Sequence, residues 1–360
     1  MADISLCMIV KNEEKVLARC LDSIKDAVDE IIIADTGSND QTKETAQKYT
    51  DKIYDFEWTD DFSAARNFSF SKATSDYIMW LDADDIITAE NCQRLIELKK
   101  QLDTTDAVMM KYNTAFDENG NPVFSYYRER IVKKSANPVW KGRVHETISF
   151  CGSVLYSDIA INHKSVKTIY TTRNLDIYEK QIADGSALQA RDKFYYGREL
   201  YYHKKYQKAI NTLHNFLNDD GGWSENKIEA CKILSYCFSE TGELENAAKI
   251  LFQSFIYDTP RAEICCAAGN VFMQMGRYAQ AVYWYELALT IPINENNGGF
   301  CDADCHGYLP CIQLCVCYDK MKNYDKAEEY NTMAGVYRPD SAAYLQNLNY
   351  FKSLHQSDIF

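Results

Sequence analysis

Short apolar runs alternate with amphipathic stretches through the first half of this chain, and the alternation stops near residue 170. Residues 4–10 (ISLCMIV) are continuously apolar, which suits a strand buried on both faces of a parallel sheet. Residues 30–34 (EIIIA), 52–56, 77–81 (YIMWL) and 107–112 read as further strands. Val16, Leu17, Cys20, Leu21, Ile24 and Val28 recur at helical spacing. An amphipathic helix is therefore predicted over 13–28, capped by Asn12, with Glu13 and Glu14 in its first turn. Helices are also predicted over 41–49, 63–73 and 88–102. This order implies a doubly wound α/β layer. In such sheets ligands sit beyond the carboxyl ends of the strands, where Asp35, Asp82 and Asp84 fall.

Beyond 170, helical patterns rich in Tyr, Ala and Leu take over. One unit recurs as KKYQKAI (204–210), TGELENAAKI (241–250), MGRYAQAV (275–282) and KNYDKAEEY (322–330). Its marker alanines, Ala209, Ala247, Ala281 and Ala327, are spaced by 38, 34 and 46 residues. Thirty-four is the tetratricopeptide period, and longer gaps hold insertions such as 292–305. Small alanines let paired helices approach closely. About four repeats are predicted over 192–355, with 166–191 as a connecting helix after a first domain at 1–165.

Charge narrows the function. Acidic residues outnumber basic ones 52 to 39, a formal charge of -13. That argues against nucleic acid and anionic membrane surfaces as partners, both of which select clustered Lys and Arg. No apolar run reaches the ~20 residues of a membrane helix, and no targeting segment is visible. A cytoplasmic protein is expected. The 13 cysteines do not form a short secreted framework. Cys301, Cys305, His306, Cys311, Cys315 and Cys317 lack a CxxC pair, and ordinary helix packing is expected there rather than zinc.

LDADD at 81–85 follows an apolar strand directly. Carboxylates so placed can hold a hard divalent cation that bridges diphosphate oxygens. The segment also reads as a plain Asp-rich turn. ADTGSNDQT at 34–42 follows another strand, where Asp35 can accept from a nucleobase or ribose and Gly37 permits an unusual backbone angle. It too reads as an ordinary strand–turn–helix junction.

MIVKNEE, DTGSNDQT, DFSAARNFSF and LDADD, in that order, resemble glycosyltransferase family 2 of the GT-A fold over residues 1–165. The KNEE and ARN elements resemble a subgroup that includes lipopolysaccharide-core glucosyltransferases. The fused repeats resemble peptide S-glycosyltransferases of the sublancin type. The resemblance implies an α/β GT-A (nucleotide-diphospho-sugar transferase) domain followed by an all-α tetratricopeptide solenoid. It further implies that Val10, Lys11 and Glu13 line a nucleotide pocket and that Asp35 contacts uracil. Arg66 and Asn67 would face the nucleotide or its phosphates. Asp82 would touch the ribose or the metal water shell, and Asp84 would ligate Mn2+ or Mg2+.

VWKGRVHETI at 139–148 offers a base for an inverting transfer. The family's ED pair is absent there, so Glu146 is preferred, with His145 second. It also reads as a structural His-Glu pair. His163 ends an apolar strand and suits a late metal ligand or a structural role. Lys164 and Lys167 could touch phosphate or simply be solvated. The leading expectation is a metal-dependent, inverting glycosyltransferase using a UDP-sugar. Its acceptor, a peptide, protein or saccharide, would dock on the repeats, which could also build a homodimer. Two rivals are a non-catalytic repeat scaffold with a relic nucleotide domain, and a sugar nucleotidyltransferase. The latter normally has a Gly-rich loop where this chain reads MIVKNEE.

Overall fold

The computed structural model describes residues 2–117, 120–166, 171–293 and 301–357. Lys167, residues 294–300 of the 292–305 insertion and the Cys301 side chain lie outside the described residues. The chain divides after Ala187 into two compact units. Among the described residues, no helix is long and apolar enough to cross a membrane.

The first unit is built on a sheet in the order β3-β2-β1-β4-β7-β6-β10-β5. Strands β1 (Ile4–Val10), β2 (Glu30–Asp35), β3 (Ile53–Asp55) and β4 (Tyr77–Trp80) form its parallel half. The apolar runs of β1, β2 and β4 are buried almost throughout, as strands covered on both faces must be. Helices α1 (Leu17–Ile24), α2 (Thr42–Ala46), α3 (Phe62–Ser71) and α4 (Ala89–Leu98) connect or follow these strands.

The other half departs from the doubly wound expectation. Strand β7 (Pro122–Lys133) runs antiparallel to both β4 and β6 (Ala107–Phe116). Strand β10 (Val154–His163) is parallel to β6, and β5 (Asp85–Ile87) pairs antiparallel with β10. A separate hairpin joins β8 (Val139–Lys141) and β9 (Thr147–Ser149). Strand β6 begins at the predicted run 107–112, but β7 mixes the charged RER run with aromatic residues instead of presenting an unbroken apolar run, so its sequence does not read as buried sheet.

The predicted helix over 13–28 is shorter than expected. Val16 precedes α1 without a side-chain cap. Asn12 has a positive φ of 55° and accepts from the Asn39 backbone at 2.8 Å. It ties two loops together instead of capping a helix. The predicted connecting helix, α5 (Arg173–Ala183), lies in the first unit. It is anchored by buried Leu175, Ile177 and Tyr178 and by Lys180 on Asp60 at 2.6 Å.

The second unit is a run of helix pairs. They are α6 (Ala190–Tyr202) with α7 (Tyr206–Leu217), α8 (Ser224–Glu240) with α9 (Leu244–Gln253), α10 (Ala262–Gln274) with α11 (Tyr278–Thr290), and α12 (Tyr308–Lys320) with α13 (Tyr324–Tyr337). Helix α14 (Ala342–Ser357) follows. The four marker alanines each sit in the second helix of a pair, and all are completely buried. The turn inside each pair has a positive φ at Lys204, Gly242, Gly276 and Lys322, the left-handed step that closes a helix C-terminus. Cys305, Cys311, Cys315 and Cys317 are buried free thiols, as packing requires. Among the described residues they form no metal-holding group.

Candidate functional site

Val10 and Asp35 are register partners on β1 and β2, so the two following loops leave the sheet at one level. They are laced together. Ser38 Oγ accepts from the Asn12 backbone at 2.9 Å, and Thr42 Oγ1 accepts from that of Glu13 at 2.7 Å. Asp35 is fully buried, and its Oδ1 accepts from the Gly37 and Ser38 backbones at 3.0 and 2.9 Å. Gly37 takes φ +99° to make that turn. Asp35 Oδ2 is buried without a hydrogen-bond partner. A buried carboxylate oxygen is costly to leave unpaired, so this atom fits an arriving N–H donor such as a nucleobase. Val10, its register partner, is also buried, while Lys11 is exposed and Glu13 half-buried at the loop start.

The second cluster lies where β4 ends. His163 and Asp85 are directly opposed on β10 and β5, and the Lys164 backbone donates to the Asp84 carbonyl at 2.9 Å. These pairings bring Asp84, Asp85 and His163 together, with one ligand atom from each lying within 4.8 Å of the others. His163 Nδ1 is 3.5 Å from Asp84 and 3.4 Å from Asp85. The hydrogen bond to Asp85, then the nearby acids, raise the His163 pKa above its ordinary value against the opposing effect of burial. Lys164 places its ammonium over the Phe116 ring at 3.2 Å.

Asp85 was not singled out from sequence, yet it is the buried centre of the cluster. Its Oδ1 accepts from Tyr112 at 2.9 Å, and its Oδ2 accepts from Arg130 at 3.0 Å. Arg130 is fully buried and stacks on Trp80 and Tyr112, 3.9 and 4.2 Å from their ring centres. The RERIV run of β7, with charges inside a strand, is the one sequence sign of this.

Asp82 and Arg66 are paired with each other. Arg66, on α3, is buried rather than open to a phosphate. Its Nη2 donates to Asp82 at 2.8 Å and its Nε donates to Glu146. Burial alone would lower its pKa, but the two carboxylates more than offset this and raise it. Burial likewise works to raise the Asp82 pKa, but Arg66 and Arg130 outweigh it and lower the value to about 2. One residue further round α3, Asn67 turns to the β8–β9 hairpin, where its amide accepts from and donates to the Trp140 backbone at 2.8 and 3.0 Å. It anchors the hairpin that carries His145 and Glu146.

Glu146 is buried beside Arg66, so it lies one guanidinium away from Asp82. His145 is half-buried with a positive φ of 51°, a conformation that non-glycine residues adopt at a cost. The cluster's charges do not cancel. Asp82, Asp84, Asp85, Glu129 and Glu146 face Arg66, Arg128 and Arg130. Five carboxylates against three guanidinium groups leave two negative charges before His163 is counted, a balance that one divalent cation would meet.

Residues 5–160 match the family model "Glycosyl transferase family 2", and residues 262–292, which span α10 and α11, match "Tetratricopeptide repeat". The expected resemblance is thereby borne out. A TPR repeat-containing protein of Synechococcus elongatus is 48% identical over 108 residues, covering 30% of this chain and 26% of that protein. The SPbeta prophage-derived glycosyltransferase SunS of Bacillus subtilis is 29% identical over 229 residues, covering 59% of this chain and 52% of that protein. The chain thus spans about half or less of these relatives. A crystal structure of S. aureus TarS 1-349 in complex with UDP aligns with a TM-score of 0.38 at 14% identity, covering 69% of this chain and 90% of that one.

Proposed function

We propose that the chain uses residues 5–160, which match the glycosyl transferase family 2 model, to move a hexose from a UDP-sugar to an acceptor docked by its repeats. The observation that carries this reading is the meeting of Asp84, Asp85 and His163 beside the Asp82–Arg66–Glu146 ion triad. Asp84 and His163, joined by Asp85, would hold a divalent cation, Mn2+ or Mg2+. Such a cation, when bound, neutralises the negative charge of a departing diphosphate.

The chain's own residues supply the rest. Asp35 offers its unpaired Oδ2 to the base of the nucleotide, beside Val10, Lys11 and Glu13. The acceptor's O–H or S–H attacks the anomeric carbon. The new C–O or C–S bond forms as the bond from that carbon to the diphosphate oxygen breaks, and the sugar's configuration inverts. Arg66 engages Oε1 of Glu146, and Oε2 is the atom assigned to take the acceptor proton. His145, one residue away, is the second candidate. The sequence resemblance to peptide S-glycosyltransferases supports a peptide or protein acceptor. A saccharide acceptor is the other outcome.

Calorimetry with Mn2+ and UDP, followed by turnover of UDP-sugars on candidate peptides, tests the reading. Asp84→Ala should abolish transfer and cation-dependent UDP binding. Full activity in that variant, or in excess EDTA, refutes the cation's role. A scaffold with a relic domain would bind no UDP. Glu146→Gln should lower turnover by on the order of 10²–10⁴ with donor affinity little changed, the usual worth of a positioned base. If His145→Ala is dead and Glu146→Gln is silent, the histidine is the base.

A further inference from the structure

Three guanidinium groups crowd the indole of Trp80. Arg66 lies 4.7 Å from the ring centre, Arg128 5.0 Å and Arg130 3.9 Å. They are not equally available to a ligand. Arg130 is fully buried and paired with Asp85. The Arg66 side chain is 8% exposed and is held by two carboxylates. The Arg128 side chain is 23% exposed. Its acidic neighbour, Glu129, stands off at 3.5 Å, and its Nη2 reaches the Glu146 main-chain oxygen at 3.4 Å. Strong charge-assisted hydrogen bonds are shorter, about 2.7–2.9 Å. Arg128 is therefore the cation of this cluster that is held in place without being saturated.

We propose that Arg128 receives the diphosphate of the nucleotide donor, the role that sequence reasoning gave to Arg66. The assignment rests on the donor-binding reading above. Arg128 and Arg66 both touch Glu146, one at its main chain and the other at its carboxylate, so Arg128 borders the same site. Contact with the Trp80 ring, 5.0 Å from its centre, restrains the Arg128 fork before a ligand arrives. A planar fork matches two phosphate oxygens at once, and a restrained one loses little freedom on binding. Arg66 then has a different task. It fixes Asp82 and Glu146 relative to each other.

The test compares two ligands on the full chain in Mn2+. UDP is measured by calorimetry, and uridine by ligand-observed NMR, which reads weak affinities. Arg128→Met should weaken UDP by about tenfold to a hundredfold, the worth of lost charged hydrogen bonds, and leave uridine unchanged. Arg128→Lys should recover part of the loss, because it keeps the charge without the fork. UDP affinity within twofold of wild type in Arg128→Met overturns the proposal. So does a parallel loss of UDP and uridine, which would mean that Arg128 only shapes the pocket. If the wild-type chain binds neither ligand, the donor-site reading itself fails, and the Arg128 assignment falls with it.

Discussion

Removing one partner of the Asp85–Arg130 pair should destabilise the first unit far more than any surface substitution. Both side chains are fully buried, and Nη1 donates to Oδ2 at 3.0 Å. Breaking such a pair by removing one partner typically costs about 3–5 kcal/mol, because the other charge stays buried. The two single variants should not be equal. Arg130→Met leaves Asp85 with the Tyr112 hydroxyl and the Asp82 backbone N–H. Asp85→Asn leaves the Arg130 charge uncompensated, with only neutral acceptors, the new amide oxygen and the Trp80 carbonyl at 3.3 Å, and its Nε and Nη2 already lack partners. Asp85→Asn should therefore lie at the upper end of that range. The assay is native-state hydrogen exchange in EDTA, read on peptides from β4 and β7. Protection there should fall by roughly 10²–10⁴, one decade per 1.36 kcal/mol. Peptides from α10 and α11, in the other unit, should not change. The double variant should cost clearly less than the sum of the singles, since each has already removed the shared interaction. A loss under about 1 kcal/mol in either single variant, or strict additivity, would refute the reasoning.

Other outcomes follow from different parts of the molecule. His163→Ala should weaken Mn2+ binding measured by electron paramagnetic resonance while far-ultraviolet circular dichroism stays unchanged; equal Mn2+ affinity would remove His163 from the ligand set. Burial works to raise the Glu30 pKa, but hydrogen bonds from Lys52, Ser5 and Thr74 outweigh it and hold the group at about 2, against an ordinary 4.5. The unfolded chain therefore binds this proton more readily, and Glu30's contribution is full above pH 4.5 and lost as pH falls from 4.5 to 2. Glu30→Gln should flatten that part of the stability–pH curve, and an unchanged slope would contradict it. Lys322→Gly should stabilise the second unit by roughly 1 kcal/mol in thermal unfolding, because Lys322 holds a φ of 61° that costs a side-chain-bearing residue; destabilisation would show that its side chain matters more than its backbone.

Some of this protein was written locally in its sequence. The runs at 4–10, 30–34 and 77–81 became β1, β2 and β4, because an unbroken apolar stretch has few ways to escape water other than a strand covered on both sides. The alanines at 209, 247, 281 and 327 all became buried helix contacts, since close helix packing requires a small residue at a fixed place in each turn-and-helix unit. LDADD advertised itself by sitting at a strand's end. Other features depended on partners far along the chain. Asp85 meets His163 across 78 residues, and Arg66 meets Glu146 across 80. Neither spacing leaves a local pattern. Asn67 follows Arg66 directly, yet about 100° of helical rotation sends it to the Trp140 backbone instead of the site. The sequence by itself determined two architectures and which strand ends carry acids, because hydrophobic periodicity is a property of neighbouring residues. Only the tertiary structure decided which of those acids are neutralised by arginine and which stand beside His163 instead, because that depends on β7 lying antiparallel between β4 and β6 and carrying Arg128 and Arg130 to Trp80.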